Sequence, residues 1–286
     1  MLKPAFEVFY PQSNQSCVVF ASPHSGRHYP ASLLRATVLD DKAIRSSEDA
    51  FVDQLFESAP QFGASFLKAR APRAFVDLNR SSDELDPALI VGVRRRGHNP
   101  RVASGLGVIP RVVANGRAIY RGKLSILEAN QRLADYWHPY HEMLQSLLDR
   151  AVTHHGQAVL IDCHSMPHEA LQGIARTGAK CPEVVLGDRF GAAAAGDVVD
   201  RVEMAFRDAG FAVTRNAPFA GAYVTQAYGR PSRGQHAVQV EIDRAIYMDE
   251  KQIKPSEHFA DVQRALRSVI AEIAQIGQER RPLAAE

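Results

Sequence analysis

The chain has 286 residues, of which 45% are hydrophobic and 23% are charged, values that are ordinary for a soluble globular protein. The formal net charge is only +2 and the basic residues are dispersed, which argues against a protein that binds nucleic acid. No window approaches the roughly 18 consecutive apolar residues that a membrane helix needs, so we expect no association with a membrane.

Cysteine usage and the first residues bear on the cellular compartment. The three cysteines, Cys17, Cys163 and Cys181, are too few and too scattered for a disulfide framework or a cysteine-based zinc knuckle. The first residues lack the apolar core of a signal peptide. We therefore expect a protein of the reducing cytoplasm; no pattern indicates an oligomeric state.

The first third of the chain is predicted to hold three strands and one helix. An apolar run at residues 17–21 predicts a buried strand. The spacing of apolar residues from Glu48 to Ala59, with Ser47 as N-cap, predicts a helix. Two further apolar runs predict strands at residues 64–69 and 73–78.

The middle of the chain is predicted to be less regular. Residues from Pro87 to Pro110 are rich in Gly, Arg and Pro, which predicts a long loop, and its Arg94-Arg95-Arg96 cluster is more typical of a solvated loop than of an anion site. Asn115-Gly116 predicts the turn of a hairpin between Val108 and Tyr120. Helical spacing then predicts helices at residues 123–138 and 140–154, with a break or kink at Pro139.

The last part of the chain alternates strands and helices. Strands are predicted at residues 158–162, 183–186, 211–214 and 236–242, and helices at residues 197–209 and 258–276, with Gly210 ending the first helix. This alternation predicts an α/β fold with a mostly parallel sheet covered on both faces. Because we find no repeat and no convincing linker, we expect a single domain over residues 1–286, with a frayed polar tail at 278–286.

Three of the predicted strands deliver an ionisable side chain near their ends. His24 follows the first strand, while His164 and Glu241 come at the ends of the strands that begin near residues 158 and 236. In open α/β sheets, ligands bind outside the carboxyl ends of the strands. Asp162 lies two residues before His164, so strand alternation puts both side chains on one side, and Asp162 is a candidate to orient the His164 ring.

The types of these residues indicate a metal centre. Two imidazoles and a carboxylate are a common catalytic zinc set with one position open for water. Residue 27 is arginine where the usual short motif needs a carboxylate, so the third ligand must come from elsewhere, and Glu48 and Asp49 are the nearest candidates. A second carboxylate that is not a ligand serves as general base in such sites, a role that suits Glu241.

Arginines supply a possible complement to the metal. Arg80 adjoins Asn79 after a predicted strand, Arg176 follows the His164 loop, and Arg244 comes three residues after Glu241. Arginine binds carboxylates through two parallel hydrogen bonds, so several arginines near a metal indicate a small anionic substrate. A turn with a surface ion pair is an equally ordinary interpretation of Asn79-Arg80. The sequence lacks a Walker motif, a complete dinucleotide fingerprint and the G-x-S-x-G elbow of serine hydrolases.

Eight segments in order, between about residues 18 and 250, resemble the N-formylglutamate amidohydrolase family. They are Ser22-Pro23-His24-Ser25-Gly26, Ser47-Glu48-Asp49-Ala50-Phe51-Val52-Asp53, Val76-Asp77-Leu78-Asn79-Arg80, Pro139-Tyr140-His141, Asp162-Cys163-His164-Ser165-Met166-Pro167, Leu186-Gly187-Asp188-Arg189-Phe190-Gly191, Asn216-Ala217-Pro218-Phe219-Ala220-Gly221 and Gln239-Val240-Glu241-Ile242-Asp243-Arg244. Eight ordered segments are far more specific than any one of them.

The resemblance implies a fold, a reaction and roles for residues. It implies a three-layer α/β/α sandwich similar to zinc carboxypeptidases, and zinc-dependent cleavage of N-formylglutamate to formate and glutamate in histidine breakdown. His24 and His164 would be ligands of one zinc ion per chain, with Asp49 preferred over Glu48 because the commoner form of the family keeps an aspartate there. Glu241 would match the general base of carboxypeptidases, and Arg80 with Asn79 would hold the substrate carboxylate.

Alternatives remain open at this point. The segments after His24 and around Asp49 resemble a broader branch of the family, so that a carboxypeptidase-like or desuccinylase-like hydrolase of another N-acyl amino acid is an alternative. A non-catalytic binder of an acidic amino acid is a third hypothesis, which the presence of Glu241 disfavours. Histidine and carboxylate ligands also suit divalent ions other than zinc. The metal hypothesis requires His24 and His164 to converge on one ion, at about 2.0–2.1 Å from it.

Overall fold

The structure is a computed structural model in which residues 4–13, 15–94, 99–172 and 181–278 are described. Arg176, Arg95 and Arg96 lie outside the described residues, as does the predicted tail apart from Gln278. No helix among the described residues is long and apolar enough to cross a membrane.

The described residues form nine strands and eight α-helices with the following bounds. The strands are β1 (Phe6–Phe9), β2 (Val18–Ser22), β3 (Ser65–Ala69), β4 (Ala158–Met166), β5 (Val184–Gly187), β6 (Val213–Arg215), β7 (Gln235–Asp243), β8 (Met248–Asp249) and β9 (Lys254–Pro255). The helices are α1 (Ala31–Ala36), α2 (Val52–Leu55), α3 (Pro100–Ala103), α4 (Ile126–Arg132), α5 (His138–His155), α6 (Gly196–Asp208), α7 (Tyr223–Tyr228) and α8 (Phe259–Ala274).

Seven strands form one mixed sheet in the order β1-β3-β2-β4-β7-β5-β6. β4 pairs in parallel with both β2 and β7, and β5 pairs in parallel with β6. β5 runs antiparallel to β7. The α/β class with a mixed, largely parallel sheet is therefore confirmed.

The central strands are covered on both faces. All nine residues of β4 and all nine of β7 are buried, as expected for strands between two helical layers. α6 and α8 pack against each other, and α8 buries Leu266, Val269, Ile270 and Ile273 at helical spacing. This spacing is typical of an amphipathic helix that packs one face on the core.

The chain divides into two compact units. The first comprises the described residues of Met1–Glu7, Pro23–Ala50 and Lys68–Met143, and the second those of Val8–Ser22, Phe51–Leu67 and Leu144–Glu286. The second unit contains the strands from β4 to β7, whereas much of the first consists of turns and short helices. The single domain expected from the sequence stays a prediction.

Two predicted elements in the first part of the chain are wrong. The helix predicted from Glu48 to Ala59 is reduced to the four residues of α2, because Phe51 has a left-handed backbone (φ 66°) that interrupts any helix from Glu48 onward. The strand predicted at residues 73–78 is a series of turns, since its Phe75 and Val76 amides donate to the Pro72 carbonyl instead of to a neighbouring strand.

The middle of the chain also differs from its prediction. The chain does reverse at Asn115-Gly116, but the expected hairpin is limited to a single bridge between Val112 and Ala118. Pro139 does not interrupt the helix, because α4 continues through a π-helical turn, Leu133–Trp137, into α5. Pro139 lies where the hydrogen-bond spacing changes, so its missing N–H costs less than inside a regular helix.

Candidate active site

His24 lies in the loop that follows β2 and is 2% exposed. Its Nε2 atom is 2.7 Å from Oδ1 of Asp77, and its Nδ1 atom is 3.4 Å from Oδ2 of Asp49. The backbone amide of Asp49 also donates to the His24 carbonyl at 3.1 Å. The ring is thus fixed by Asp77 on one side, with its other nitrogen beside Asp49.

The His24 loop is bent against the backbone of residues 70–71. A Cβ on Gly26 would lie 2.1 Å from the Ala71 carbonyl oxygen, so only glycine fits at this position. The amide of His28 donates to the Arg70 carbonyl at 2.8 Å and fixes the loop there. This close approach sets the direction in which the loop carries His24.

Asp49 and Glu48 are both buried, but they have different partners. Glu48 accepts hydrogen bonds from the Tyr29 hydroxyl at 2.5 Å and from Arg45, whose Nη2 atom is 3.0 Å away. Burial, and next the charge of Glu48, raise the pKa of Tyr29 far above its usual value, so the hydroxyl remains a donor. The Glu48 carboxylate is therefore occupied by these two side chains, whereas Asp49 lies beside His24.

His164 is part of β4, which continues two residues beyond it, instead of lying at the strand end as the sequence suggested. Its Nε2 atom is 2.9 Å from Oδ2 of Asp162, because residues two apart share a face of the strand. The contact expected between these two side chains is thus present, and it leaves Nδ1 as the other ring nitrogen.

Glu241 is the direct neighbour of His164 on the adjacent strand. The two residues are Cα partners in the parallel pairing of β4 and β7, so their side chains share one face of the sheet. Glu241 is 8% exposed. Gln239 donates from Nε2 to Oε1 of Glu241 at 2.8 Å and accepts at its own Oε1 from the Ala222 amide at 3.0 Å. Gln239 therefore orients the Glu241 carboxylate.

His24, Asp49 and His164 form a buried group that can hold a metal ion. Each offers one ligand atom, and these atoms all lie within 4.8 Å of one another. Two ligand atoms at about 2.0–2.1 Å from a tetrahedral zinc ion are roughly 3.3 Å apart, close to the 3.4 Å between His24 Nδ1 and Asp49 Oδ2. The other nitrogen of each imidazole contacts an aspartate, the usual arrangement around metal-bound histidines. The residues present fit a divalent cation.

A sequence model of the N-formylglutamate amidohydrolase family matches residues 16–248. The chain belongs to this family. The resemblance seen in the eight segments is thereby confirmed.

Members of the family with similar sequences and structures extend over nearly the whole chain. The N-formylglutamate deformylase of Pseudomonas aeruginosa is 30% identical over 266 residues, which cover 90% of this chain and 91% of that protein. The N-formylglutamate deformylase of Pseudomonas putida is 27% identical over 265 residues, with 90% and 91% covered. A crystal structure of N-formylglutamate amidohydrolase from Ralstonia eutropha JMP134 is 32% identical with a TM-score of 0.90, covering 96% of this chain and 99% of that chain.

The arginines predicted to bind substrate have distinct surroundings in this amidohydrolase-family chain. Arg80 is 6% exposed, its Nε atom makes no hydrogen bond within the described residues, and its nearest acid is Asp77 at 3.9 Å. Burial lowers the pKa of Arg80 and Asp77 opposes this effect, so the guanidinium would gain from a second anion. The neighbouring Asn79 is 4% exposed, and its backbone N–H donates to Oδ1 of Asp77. Arg244 is equally buried and donates from Nε to the Ser165 hydroxyl.

Two residues at the site were missed in the sequence. Asp77 lies 53 residues from His24, and it was assigned to a strand, so no local spacing linked the two. Gln239 lies two residues before Glu241, and strand alternation places both side chains on one face of the sheet. That alternation is the signal by which Gln239 could have been found.

Proposed function

We propose that this chain is a metal-dependent hydrolase that converts N-formyl-L-glutamate to formate and L-glutamate, as in histidine breakdown. The names of its relatives support this substrate, since two proteins with 30% and 27% identity are N-formylglutamate deformylases. The observation that carries the proposal is the buried His24, Asp49 and His164 group, with Glu241 next to His164 on the adjacent strand.

One zinc ion would be held by His24, His164 and Asp49, whose donor types suit it, although other divalent ions suit them too. The bound ion would lower the pKa of a water molecule toward about 7 and polarise the formyl carbonyl. Asp77 and Asp162 would accept from the outer nitrogens of the two imidazoles and keep each ring in one orientation. Asp49 is favoured over Glu48 because Tyr29 and Arg45 already bond Glu48.

Glu241 would move the proton. In this mechanism its carboxylate takes a proton from the attacking water as the new C–O bond forms at the formyl carbon. It then gives that proton to the amide nitrogen as the C–N bond breaks. The products are formate and glutamate with a free amino group. Gln239 supports this role because its Nε2 atom donates to Oε1 of Glu241 and so fixes the orientation of the carboxylate.

The substrate is a dianion, and the buried arginines would bind it. Arg80 and Asn79 would hold one carboxylate, since Arg80 is buried and its Nε atom approaches Asp77 only to 3.9 Å. Arg244 is a second candidate because it is also buried and lies three residues after Glu241. We retain Arg176 as a candidate on its sequence position alone.

The substitution Glu241→Gln tests the assignment of the proton carrier. We expect unchanged metal content by elemental analysis and a fall in formate release of about 10²–10⁴-fold, the usual contribution of a general acid–base group. Glu203→Gln is the matched control, because Glu203 pairs with Arg207 on α6, and should keep full activity. Full activity in Glu241→Gln would overturn the role proposed for this residue.

A panel of N-formyl, N-acetyl and N-succinyl amino acids tests the substrate. Formate release from N-formylglutamate with little turnover of the other compounds supports the proposal. Preferred turnover of an N-acetyl or N-succinyl amino acid would instead identify a hydrolase of another N-acyl amino acid. Binding of N-formylglutamate without release of formate would identify a binding protein. We place the reaction in the cytoplasm, which the three cysteines support, since none of them forms a disulfide.

A further inference from the structure

Residues 75–80 form a buried segment with no strand or helix, and they carry Asp77, Asn79 and Arg80. An irregular buried segment must still satisfy its backbone polar groups. The backbone amides of Phe75 and Val76 donate to the Pro72 carbonyl, that of Asp77 donates to the Val108 carbonyl, and that of Asn79 donates to the Asp77 carboxylate.

The carbonyls of the same segment are bound by side chains from one helical stretch. Arg132 donates from Nη1 to the Phe75 carbonyl at 3.2 Å. The His141 Nε2 atom lies 2.9 Å from the Leu78 carbonyl, and Trp137 donates from Nε1 to the Arg80 carbonyl at 2.9 Å. Three side chains thus replace the neighbouring strand that a regular segment would have used.

The π-helical turn Leu133–Trp137 explains how these three side chains reach one segment. Arg132 and Trp137 are five residues apart, a spacing that places them on different faces of an α-helix. A π-turn closes its hydrogen bonds over five residues, so it brings that pair onto one side. Trp137 and His141 are then four apart, the normal spacing along one face.

The three donors are themselves fixed in place. Arg132 is 3% exposed and lies 4.1 Å above the ring of Phe75. The rings of Trp137 and His141 are in contact, with their centroids 4.0 Å apart and their planes inclined by 36°. Burial lowers the pKa of His141 to about 4, so at neutral pH the ring is uncharged and carries one N–H for the Leu78 carbonyl.

We infer that Arg132, Trp137 and His141 are positioning residues that hold the 75–80 segment so that Arg80 meets a carboxylate of the substrate. The inference rests on the proposed function and deepens it, because it names residues beyond the site that determine recognition of an acidic substrate. Trp137 acts most directly, since its bond is to the carbonyl of Arg80 itself. A neutral hydrogen bond contributes about 0.5–1.5 kcal/mol, or roughly 2- to 12-fold in affinity.

The test compares Trp137→Phe with Tyr136→Phe in the metal-loaded full chain. Trp137→Phe removes the N–H donor and keeps an aromatic ring, while Tyr136→Phe removes a hydroxyl from the adjacent residue, whose ring packs on Phe75. We expect Trp137→Phe to raise KM for N-formyl-L-glutamate about 5- to 10-fold, with kcat within about 2-fold. Tyr136→Phe should leave both within about 2-fold of the wild type.

Substrate analogues separate positioning from a general loss of structure. N-formyl-L-glutamine lacks the side-chain carboxylate, and the α-amide of N-formyl-L-glutamate lacks the other one. The KM effect of Trp137→Phe should disappear with the analogue that lacks the carboxylate held by Arg80. An unchanged KM, or the same increase with all three substrates, would overturn the inference.

The inference and the proposed function fail in different ways. A wild-type chain that releases no formate contradicts the function, but calorimetric titration of N-formyl-L-glutamate still measures the loss of affinity in Trp137→Phe.

If Trp137→Phe does not fold, His141→Gln and His141→Met form a second pair of variants. The Gln side chain can donate to the Leu78 carbonyl and should keep KM within about 2-fold, while Met should raise it; equal KM values for these two variants would overturn the inference.

Discussion

The Asp77 carboxylate connects the candidate metal ligand His24 with the segment that carries Arg80. Its Oδ1 atom bonds the His24 ring and the Asn79 amide, and its Oδ2 atom accepts from Arg73 at 2.9 Å. Burial opposes ionisation of Asp77, but the charge of Arg73 and the contact with the His24 ring outweigh it and hold the pKa of Asp77 well below its usual value. Asp77 is therefore an anionic acceptor that fixes the His24 ring nitrogen as a donor.

Asp77→Asn should weaken metal binding. We expect the dissociation constant for Zn²⁺, measured by competition with a chelating dye, to rise about 10- to 100-fold, because an amide stabilises the required tautomer of His24 less well. Asp86→Asn is the control, since Asp86 is 2% exposed and pairs with Arg111. Equal affinities in the two variants would show that Asp77 does not orient His24.

Which site residues could be predicted depends on how local their signal is. His24, His164 and Glu241 were found because each follows or ends an apolar run. The choice between Glu48 and Asp49 was left open, because it depends on Tyr29 and Arg45, which occupy Glu48 through tertiary contacts. Asp77 had no local signal, since its partner His24 is distant along the chain.

Among the elements, buried strands were predicted well and irregular buried segments were not. β4 and β7 were identified because each carries a group of buried aliphatic residues, although polar side chains such as His164 and Glu241 also lie within them. The segment at residues 73–78 also contains several apolar residues, but side chains of Arg132 and His141 bind its carbonyls in place of a neighbouring strand. The sequence of the run does not encode those distant donors.

Gly26→Ala tests whether the close approach of the His24 loop fixes the metal ligand. The added Cβ would meet the Ala71 carbonyl at 2.1 Å, so the loop must move, at a cost of about 1–3 kcal/mol in the free energy of unfolding. We expect weaker Zn²⁺ binding along with the lower stability. Gly122→Ala is the control, because a Cβ there meets nothing within 4 Å; wild-type metal affinity in Gly26→Ala would contradict this account of the loop.

At the scale of the whole molecule, the fold class followed from the sequence but the two compact units did not. Each unit is assembled from three separated stretches of the chain. A boundary is recognised in a sequence as a polar, flexible linker between contiguous domains, and interleaved stretches need no such linker. The α/β class, by contrast, depends only on the order of elements, which survives the errors at residues 48–59 and 73–78.

We expect the free energy of unfolding to depend on pH in part because of His141. Burial lowers its pKa from 6.5 to about 4 in the folded chain, so between these values the unfolded chain binds more protons. The contribution of neutral His141 to the free energy of unfolding is fully present above about pH 6.5. It is lost as the pH falls toward 4, by up to about 1.4 kcal/mol per pH unit. In urea unfolding followed from pH 7 to 4.5, His141→Gln should show a shallower decline than the wild type. His154→Gln, at an exposed position near the end of α5, should keep the wild-type slope, and parallel curves for His141→Gln and the wild type would contradict a buried neutral His141.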